Sequence, residues 1–213
     1  LGMCHKAVDH RILLKKLKSI GVSCDSLIWF ESYLSNRQIG TYRSLTMSDF
    51  LGVHYGVPQG SILGPLLFTI YIDDIVKQIE HCTIHLYADD TVLYFSDKDV
   101  NYIERFLNAD LKRIHKWMCL NKLSLNVDKT ESLLIGSRNM LARHNNLSVH
   151  ISGKRIQSRK TVKYLGVLID QELKWNAHIE NLCTRISKLV NFLGRLRVYL
   201  NENSLKLIYR SII

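Results

Sequence analysis

The order of patterned segments along this 213-residue chain predicts an α+β domain of the split βαβ sort. Three observations point there. Helix-period stripes alternate with β-rich runs. Two of those runs flank a short acidic break, Ala88-Asp89-Asp90, as the arms of a hairpin would. No repeat and no low-complexity linker divides the chain, whose length suits one sizeable core and a small appendage.

The elements follow in order. Ile12, Leu13, Leu14, Leu17 and Ile20 recur at helical spacing over residues 9–20, and Gly21 is placed to end that helix. Trp29, Phe30, Tyr33 and Leu34 give a second helical face, and Asn36-Arg37 leads into an extended stretch through Tyr55. The only two prolines, Pro58 and Pro65, fall in GVPQGSILGP, an ordered turn followed by a helix with Pro65 in its first turn. Leu66, Leu67, Ile70, Tyr71 and Ile75 continue it. Strands run from Thr83 to Tyr87 and from Thr91 to Phe95 around the acidic break. Asp99 or Asn101 then caps a helix striped by Ile103, Phe106, Leu107, Leu111, Ile114 and Trp117. Leu133–Ile135, Leu147–Ile151 and Val162–Ile169 read as further strands, with Gly153 and Gly166 as turn or close-approach residues. A closing helix gathers Trp175, Ile179, Leu182, Ile186, Leu189 and Leu193 on one face. Lys174, Arg185, Lys188 and Arg195 lie on a neighbouring face.

The net charge of +10 is unevenly spread. Residues 1–137 balance 15 basic against 15 acidic side chains, whereas residues 138–213 hold 14 basic and 4 acidic. A basic region beside a neutral, carboxylate-bearing one suits a protein that grips a polyanion in one part and does chemistry in another. No apolar run reaches the roughly 18 residues of a membrane span, and the start lacks a signal-peptide layout. Cys4, Cys24, Cys82, Cys119 and Cys183 are scattered without CxxC spacing, as reduced intracellular thiols would be.

Chemistry concentrates in Tyr87-Ala88-Asp89-Asp90. Adjacent carboxylates at a hairpin tip repel each other, and a divalent cation relieves that repulsion. Mg²⁺ favours a few carboxylates plus substrate phosphates, and two such ions about 4 Å apart activate a 3′-oxygen and stabilise departing pyrophosphate. The same dipeptide at Asp73-Asp74 falls near a helix end and reads as surface carboxylates without metal. A zinc reading of His81, Cys82 and His85 fails on strand geometry, which turns Cys82 away from both histidines. His115 and Cys119, at i and i+4, read as packing or surface residues.

Spacing makes the acidic motif specific. YADDT preceded by GVPQGSILGPLLFTIYIDD and followed by NKLSLNVDKT and VKYLGV resembles the reverse-transcriptase domain of non-LTR retrotransposons. SYLSNR at 32–37, LNADL at 107–111 and Trp175-x-x-His178-Ile179 extend the likeness over nearly the whole chain. The resemblance implies a right-hand polymerase palm with a ferredoxin-like core over residues 1–169, including residual fingers elements, and the beginning of a helical thumb over 170–213. It implies RNA-directed DNA synthesis with Mg²⁺, or Mn²⁺, on Asp89 and Asp90. RNA template, DNA primer and dNTPs are the partners, in a nuclear or cytoplasmic ribonucleoprotein away from membranes. Pro58, Gln59, Gly60 and Ser61 match the template- and nucleotide-positioning block. There Gly60 lets backbone approach a nucleic acid, Gln59 offers donor and acceptor, and the next helix start favours phosphate. Lys129 matches the lysine near the incoming triphosphate, in position to protonate pyrophosphate. Lys163, Tyr164, Leu165 and Gly166 match the primer-grip hairpin.

One block departs from the pattern. The family carries a third carboxylate in Asp-x-x-Lys-Ala-Phe-Asp, and here Lys6-Ala7-Val8-Asp9-His10 remains. Aligning Lys6 to Asp9 puts Met3 at the metal-binding position, and aligning Val8 through Leu17 puts that position before Leu1. Asp9 matches the block's second, non-catalytic Asp. The sequence therefore reads as a truncated or decayed copy, inactive in polymerisation. The rival reading is a non-catalytic nucleic-acid-binding remnant. A telomerase or intron-maturase relative is more distant, and GVPQGSILGP and KYLGV argue against it.

Overall fold

The computed structural model describes residues 7–58, 60–144 and 147–212. Met3 and Gln59, both singled out above, lie outside the described residues. The chain divides into two compact units, Leu1–Glu131 with Leu147–Gln157, and Ser132–Asn146 with Ser158–Ile213.

In the first unit the opening helix, His10–Ser19, starts where Asp9 caps it by accepting the backbone N–H of Arg11 and Ile12. Leu13 and Leu17 are its buried face, and Gly21 follows its end with φ +93°. The Asp9 carboxylate also takes Lys122 Nζ at 2.6 Å, and its residue bridges antiparallel to Tyr55. Burial pushes this carboxyl up, but Lys122 and the two amides outweigh it and hold it below the usual range. Helix Cys24–Leu34 is capped by Ser23 and buries Leu34. The extended stretch is a ribbon, pairing Arg37–Ile39 with Leu51–Val53 and Tyr42–Arg43 with Thr46–Met47.

Helix Leu63–Ile72 buries Leu67, Phe68, Tyr71 and Ile72, with Pro65 in its first turn, as the sequence predicts. Gly64 is required there: a Cβ on it would stand 2.7 Å from the Pro58 carbonyl oxygen. Helix Val100–Leu120, capped by Asp99, buries Ile103, Leu111, Ile114, Trp117 and Met118 in the same core. Between these helices the strands Thr83–Tyr87 and Asp90–Tyr94 form an antiparallel hairpin. Strand was expected over Leu147–Ile151, yet only His150–Ile151 pairs, with Lys154–Arg155. The rest is held by helix side chains. Glu104 accepts from Ser148 N–H, and Asn108 donates to Ser148 C=O while accepting from His150 N–H. Polar side chains there replace a ladder partner.

In the second unit two sequence expectations change. Leu133–Ile135 is not a strand. On its flanks Arg159 N–H donates to Ser132 C=O and Gly136 N–H to Gln171 C=O, and an unforeseen helix, Arg138–Arg143, follows. Residues 162–169 form a hairpin, as the sequence predicts, Thr161–Tyr164 against Val167–Asp170, reversed at Leu165 and Gly166 with φ +46° and +87°. Lys174 and Trp175 are not on the helix face. Helix Asn176–Leu196 begins after Trp175, a left-handed residue, because Asp170 accepts the N–H groups of Glu172, Lys174 and Trp175 and folds the connection back. The apolar face of this helix is largely exposed at Ile179, Leu182 and Ile186. Helix Glu202–Ile212 follows.

Two outcomes test this packing. Gly64→Ala should cost about 1–3 kcal/mol in urea denaturation, because backbone must move to admit the methyl group. Asp110, fully buried, accepts the N–H groups of Glu80, His81 and Cys82. Burial raises its pKa, but those three amides outweigh burial and hold it below the ordinary aspartate value. Such a group stabilises the fold above its unfolded pKa, and the contribution fades as pH falls toward the folded one. Asp110→Ala should therefore cost about 3 kcal/mol at neutral pH, with the gap to wild type narrowing below about pH 4.

Candidate functional site

The candidate carboxylates sit on a two-residue hairpin turn. Tyr87 pairs with Asp90, so the turn is Ala88-Asp89 and Asp90 already opens the second strand. Ala88 takes φ +51°, the left-handed geometry a tight hairpin needs at its first turn position. Asp89 and Asp90 are exposed, and no described residue hydrogen-bonds or ion-pairs with either carboxylate. Along the arms, half-buried Ile84 and Leu86 alternate with exposed His85 and Tyr87, and His85 stacks on Tyr94 across the strands at 5.5 Å.

The other aspartate pair has a different environment. Asp73 and Asp74 open a 3₁₀ helix, Asp73–Gln78, and Asp74 receives Lys16 Nζ at 2.6 Å. That lysine also donates to Tyr71 C=O and lies over the Tyr71 and Trp117 rings. Its partner makes Asp74 a structural anion.

The hairpin is held from below. Asp110, on helix Val100–Leu120, gathers the amides of Glu80 at 3.3 Å, His81 at 2.9 Å and Cys82 at 2.8 Å, just before the first strand. Arg113 pairs with both Asp110 and Glu80. Phe106, one turn earlier, packs on His81 at 4.5 Å and on Phe95, beyond the second strand, at 5.1 Å. Both feet of the hairpin thus rest on one helix. His81 and Cys82 belong to this packing, and burial together with the Asp110 carboxylate pushes the Cys82 thiol up to about 12. Nothing in the LNADL block by itself marks this aspartate as buried. An acidic residue inside the apolar stripe of an amphipathic helix was the available signal.

The VPQGS turn is ordered by Ser61, whose Oγ donates to Pro58 C=O at 2.7 Å and accepts Gly64 N–H at 3.0 Å. Gly60 holds φ +80° with open space where a Cβ would stand. His10 Nε2 contacts Gly56 C=O at 2.8 Å, and Gly56 donates to Val8 C=O, so the approach to this turn is tied to the first helix. Lys129 ends a 3₁₀ turn, Val127–Lys129, in which Asn126 accepts its backbone N–H, leaving the side chain exposed.

In the second unit, Lys163 and Gly166 of the hairpin meet Arg185 and Lys188 of the long helix around a cavity of about 490 Å³. Leu168, Asn181 and Thr184 complete its lining, which contains no carboxylate. Sequence reasoning missed Asn181 and Thr184, whose neutral side chains carry no charge signal. Tyr164 and Leu165 belong to the same hairpin. Arg195 lies in the helix's last turn, outside that lining. Lys174 instead pairs with Glu172 at 2.5 Å, a carboxyl held below its usual range chiefly by this lysine.

Among the described residues no group of three or more His, Cys, Asp or Glu is arranged to hold a metal ion, and no helix is long and apolar enough to cross a membrane.

Residues 1–169 match the family described as reverse transcriptase (RNA-dependent DNA polymerase). The chain is 26% identical over 159 residues to the RNA-directed DNA polymerase from mobile element jockey of Drosophila melanogaster, covering 71% of this chain and 17% of that protein. It is 28% identical over 217 residues to the jockey polymerase of Drosophila funebris, covering 97% and 23% respectively. A putative 115 kDa protein in type-1 retrotransposable element R1DM of Drosophila melanogaster is 25% identical, with 88% and 18% covered. The chain thus spans less than a quarter of the length of these relatives. With the family match covering most of its residues, this chain belongs to the reverse transcriptases, in the group carried by non-LTR retrotransposons.

Proposed function

We propose that the chain is the palm, residues 1–169, and the start of the thumb, residues 170–213, of an RNA-directed DNA polymerase that extends a DNA primer on an RNA template. The observation that carries this reading is the Asp89-Asp90 pair, exposed and unpartnered at the tip of an anchored hairpin. Two hard oxygen donors side by side fit Mg²⁺ or Mn²⁺, which when bound would activate a primer 3′-oxygen and stabilise departing pyrophosphate. Asp89 and Asp90 would hold the ions. Lys129, exposed after its capped turn, would deliver a proton to pyrophosphate. Pro58, Gln59, Gly60 and Ser61 would position template and nucleotide, with Ser61 fixing the turn. Lys163, Tyr164, Leu165 and Gly166 would grip the primer, and Arg185, Lys188 and Arg195 would meet backbone phosphates. Lys174 is less suited, being paired with Glu172.

A second reading, binding without catalysis, is favoured by one observation: no third carboxylate joins Asp89 and Asp90 among the described residues. With Lys6 and Asp9 aligned to the family's Asp-x-x-Lys-Ala-Phe-Asp block, Met3 stands at the position of that carboxylate. Loss of an essential charge-stabilising group typically costs on the order of 10³-fold in rate. This 213-residue chain should therefore give no measurable incorporation of labelled dNTP on a primed RNA template. Incorporation that disappears in Asp89→Asn would establish activity instead.

Binding is tested separately. Phosphate contacts release counterions, giving a slope of about −0.7 to −0.9 per contact in log affinity against log salt. Replacing Lys163, Arg185 and Lys188 together with Gln should flatten that slope by roughly two to three, alike for RNA and DNA of any sequence. Lys174→Gln should leave it nearly unchanged, and Asp89→Asn with Asp90→Asn should not weaken binding in EDTA. An unaltered slope in the triple variant would mean the cavity does not meet phosphates.

A further inference from the structure

We infer that Asp110 is a positioning residue for the Asp89-Asp90 pair: by clamping residues 80–82 to helix Val100–Leu120, its buried carboxylate sets the angle at which the hairpin presents that pair. The inference rests on the cation-binding reading of Asp89 and Asp90. It goes beyond that reading in assigning a role to a group that meets neither nucleotide nor ion.

The geometry is that of a lever. Three consecutive amides, Glu80, His81 and Cys82, converge on one carboxylate that is fully buried. The first strand starts at the next residue, Thr83, and runs through five residues to the turn. From Cys82 to Asp89 the chain covers roughly 20 Å at about 3.3 Å per residue, so a tilt of about 5° at the base moves the tip by about 2 Å. That exceeds the tolerance of about 0.5 Å for a working constellation several-fold. The hairpin is a sheet of two strands only, so no further strand of the described residues steadies it. Phe106 supports both feet but slides easily, as apolar contacts are non-directional. Asp110 supplies the direction. Arg113, bonded to Asp110 at 3.1 Å and also paired with Glu80, in turn fixes the carboxylate's rotation.

Tb³⁺ added to the full chain, with its luminescence excited through nearby tyrosines such as Tyr87, reports on the pair directly. Asp110→Asn keeps the shape but replaces one of the two accepting oxygens with an NH2 donor, so either Glu80 or the His81 and Cys82 pair loses its acceptor. It should weaken Tb³⁺ binding about tenfold, the low end of what outer-shell changes do at metal sites. Leu111→Ala, a buried neighbour without a role in the clamp, should lower the denaturation midpoint but change Tb³⁺ affinity by less than about twofold. Wild-type affinity in folded Asp110→Asn, alongside clear loss in Asp89→Asn, would overturn the inference while leaving the cation reading intact. If Asp110→Asn does not fold, Arg113→Met takes its place with a smaller weakening expected, and no change would overturn the inference. If Tb³⁺ ignores Asp89→Asn and Asp90→Asn, the cation reading fails, and hydrogen exchange of the hairpin amides decides. Faster exchange in Asp110→Asn than in Leu111→Ala at matched stability supports the clamp, and equal exchange overturns it.

Discussion

Three backbone amides pointed at one buried carboxylate fix the start of the strand that carries the acidic turn, and what is distinctive in the first unit follows from that contact. An ionised group out of water is costly unless every lone pair finds a donor. Asp110 meets that condition with Glu80, His81, Cys82 and Arg113. The same bonds satisfy N–H groups that have no ladder partner because the strand has not yet begun. Helix and hairpin therefore solve each other's problem. The hairpin can then afford an exposed, like-charged tip, since its position does not depend on contacts made there.

Asp73-Asp74 and Asp89-Asp90 show how little a dipeptide says by itself. The first pair follows a helix whose core residue Tyr71 lies beside Lys16, and the ammonium is drawn to Asp74 and to the Tyr71 carbonyl. The second pair follows a strand, so its residues sit at a turn, and among the described residues no ion pair with either is formed. Local period, helical before one pair and alternating before the other, decides which carboxylates are satisfied internally and which are left for a ligand.

Much of this was legible because periodicity and turn chemistry are local. The stripe from Ile103 to Trp117, the cap at Asp99 and the hairpin around Ala88 all stand where the sequence predicts them. What escaped depended on long-range partners. Leu147–Val149 has strand composition, but Glu104 and Asn108, some 40 positions earlier, take the bonds a strand would have made. Lys174 has the right spacing for the helix face, but Asp170 captures three amides and delays the helix until Asn176. Asp110 was visible as a letter within a recognisable block, and its burial was not. Polar side chains that bond backbone defeat pattern reading, since they follow no period.

The two candidate sites share an electrostatic logic with opposite signs. Asp89 and Asp90 are neighbours without a counterion, and Lys163, Arg185 and Lys188 surround a cavity lined by no carboxylate. Each cluster carries self-repulsion that no ion pair among the described residues relieves, in contrast to Asp9 with Lys122 and Lys16 with Asp74. Uncancelled repulsion lowers stability unless a ligand of opposite sign binds the folded state, and binding then stabilises it in proportion to affinity and concentration. A cation at the acidic turn and a polyanion at the basic cavity would each relieve one cluster. The composition points the same way: balanced charge up to residue 137 and a net excess of ten positive charges after it leave the acidic pair and the basic cavity in segments of different character. A chain selected only for a soluble surface would intersperse its signs more evenly than residues 138–213 do.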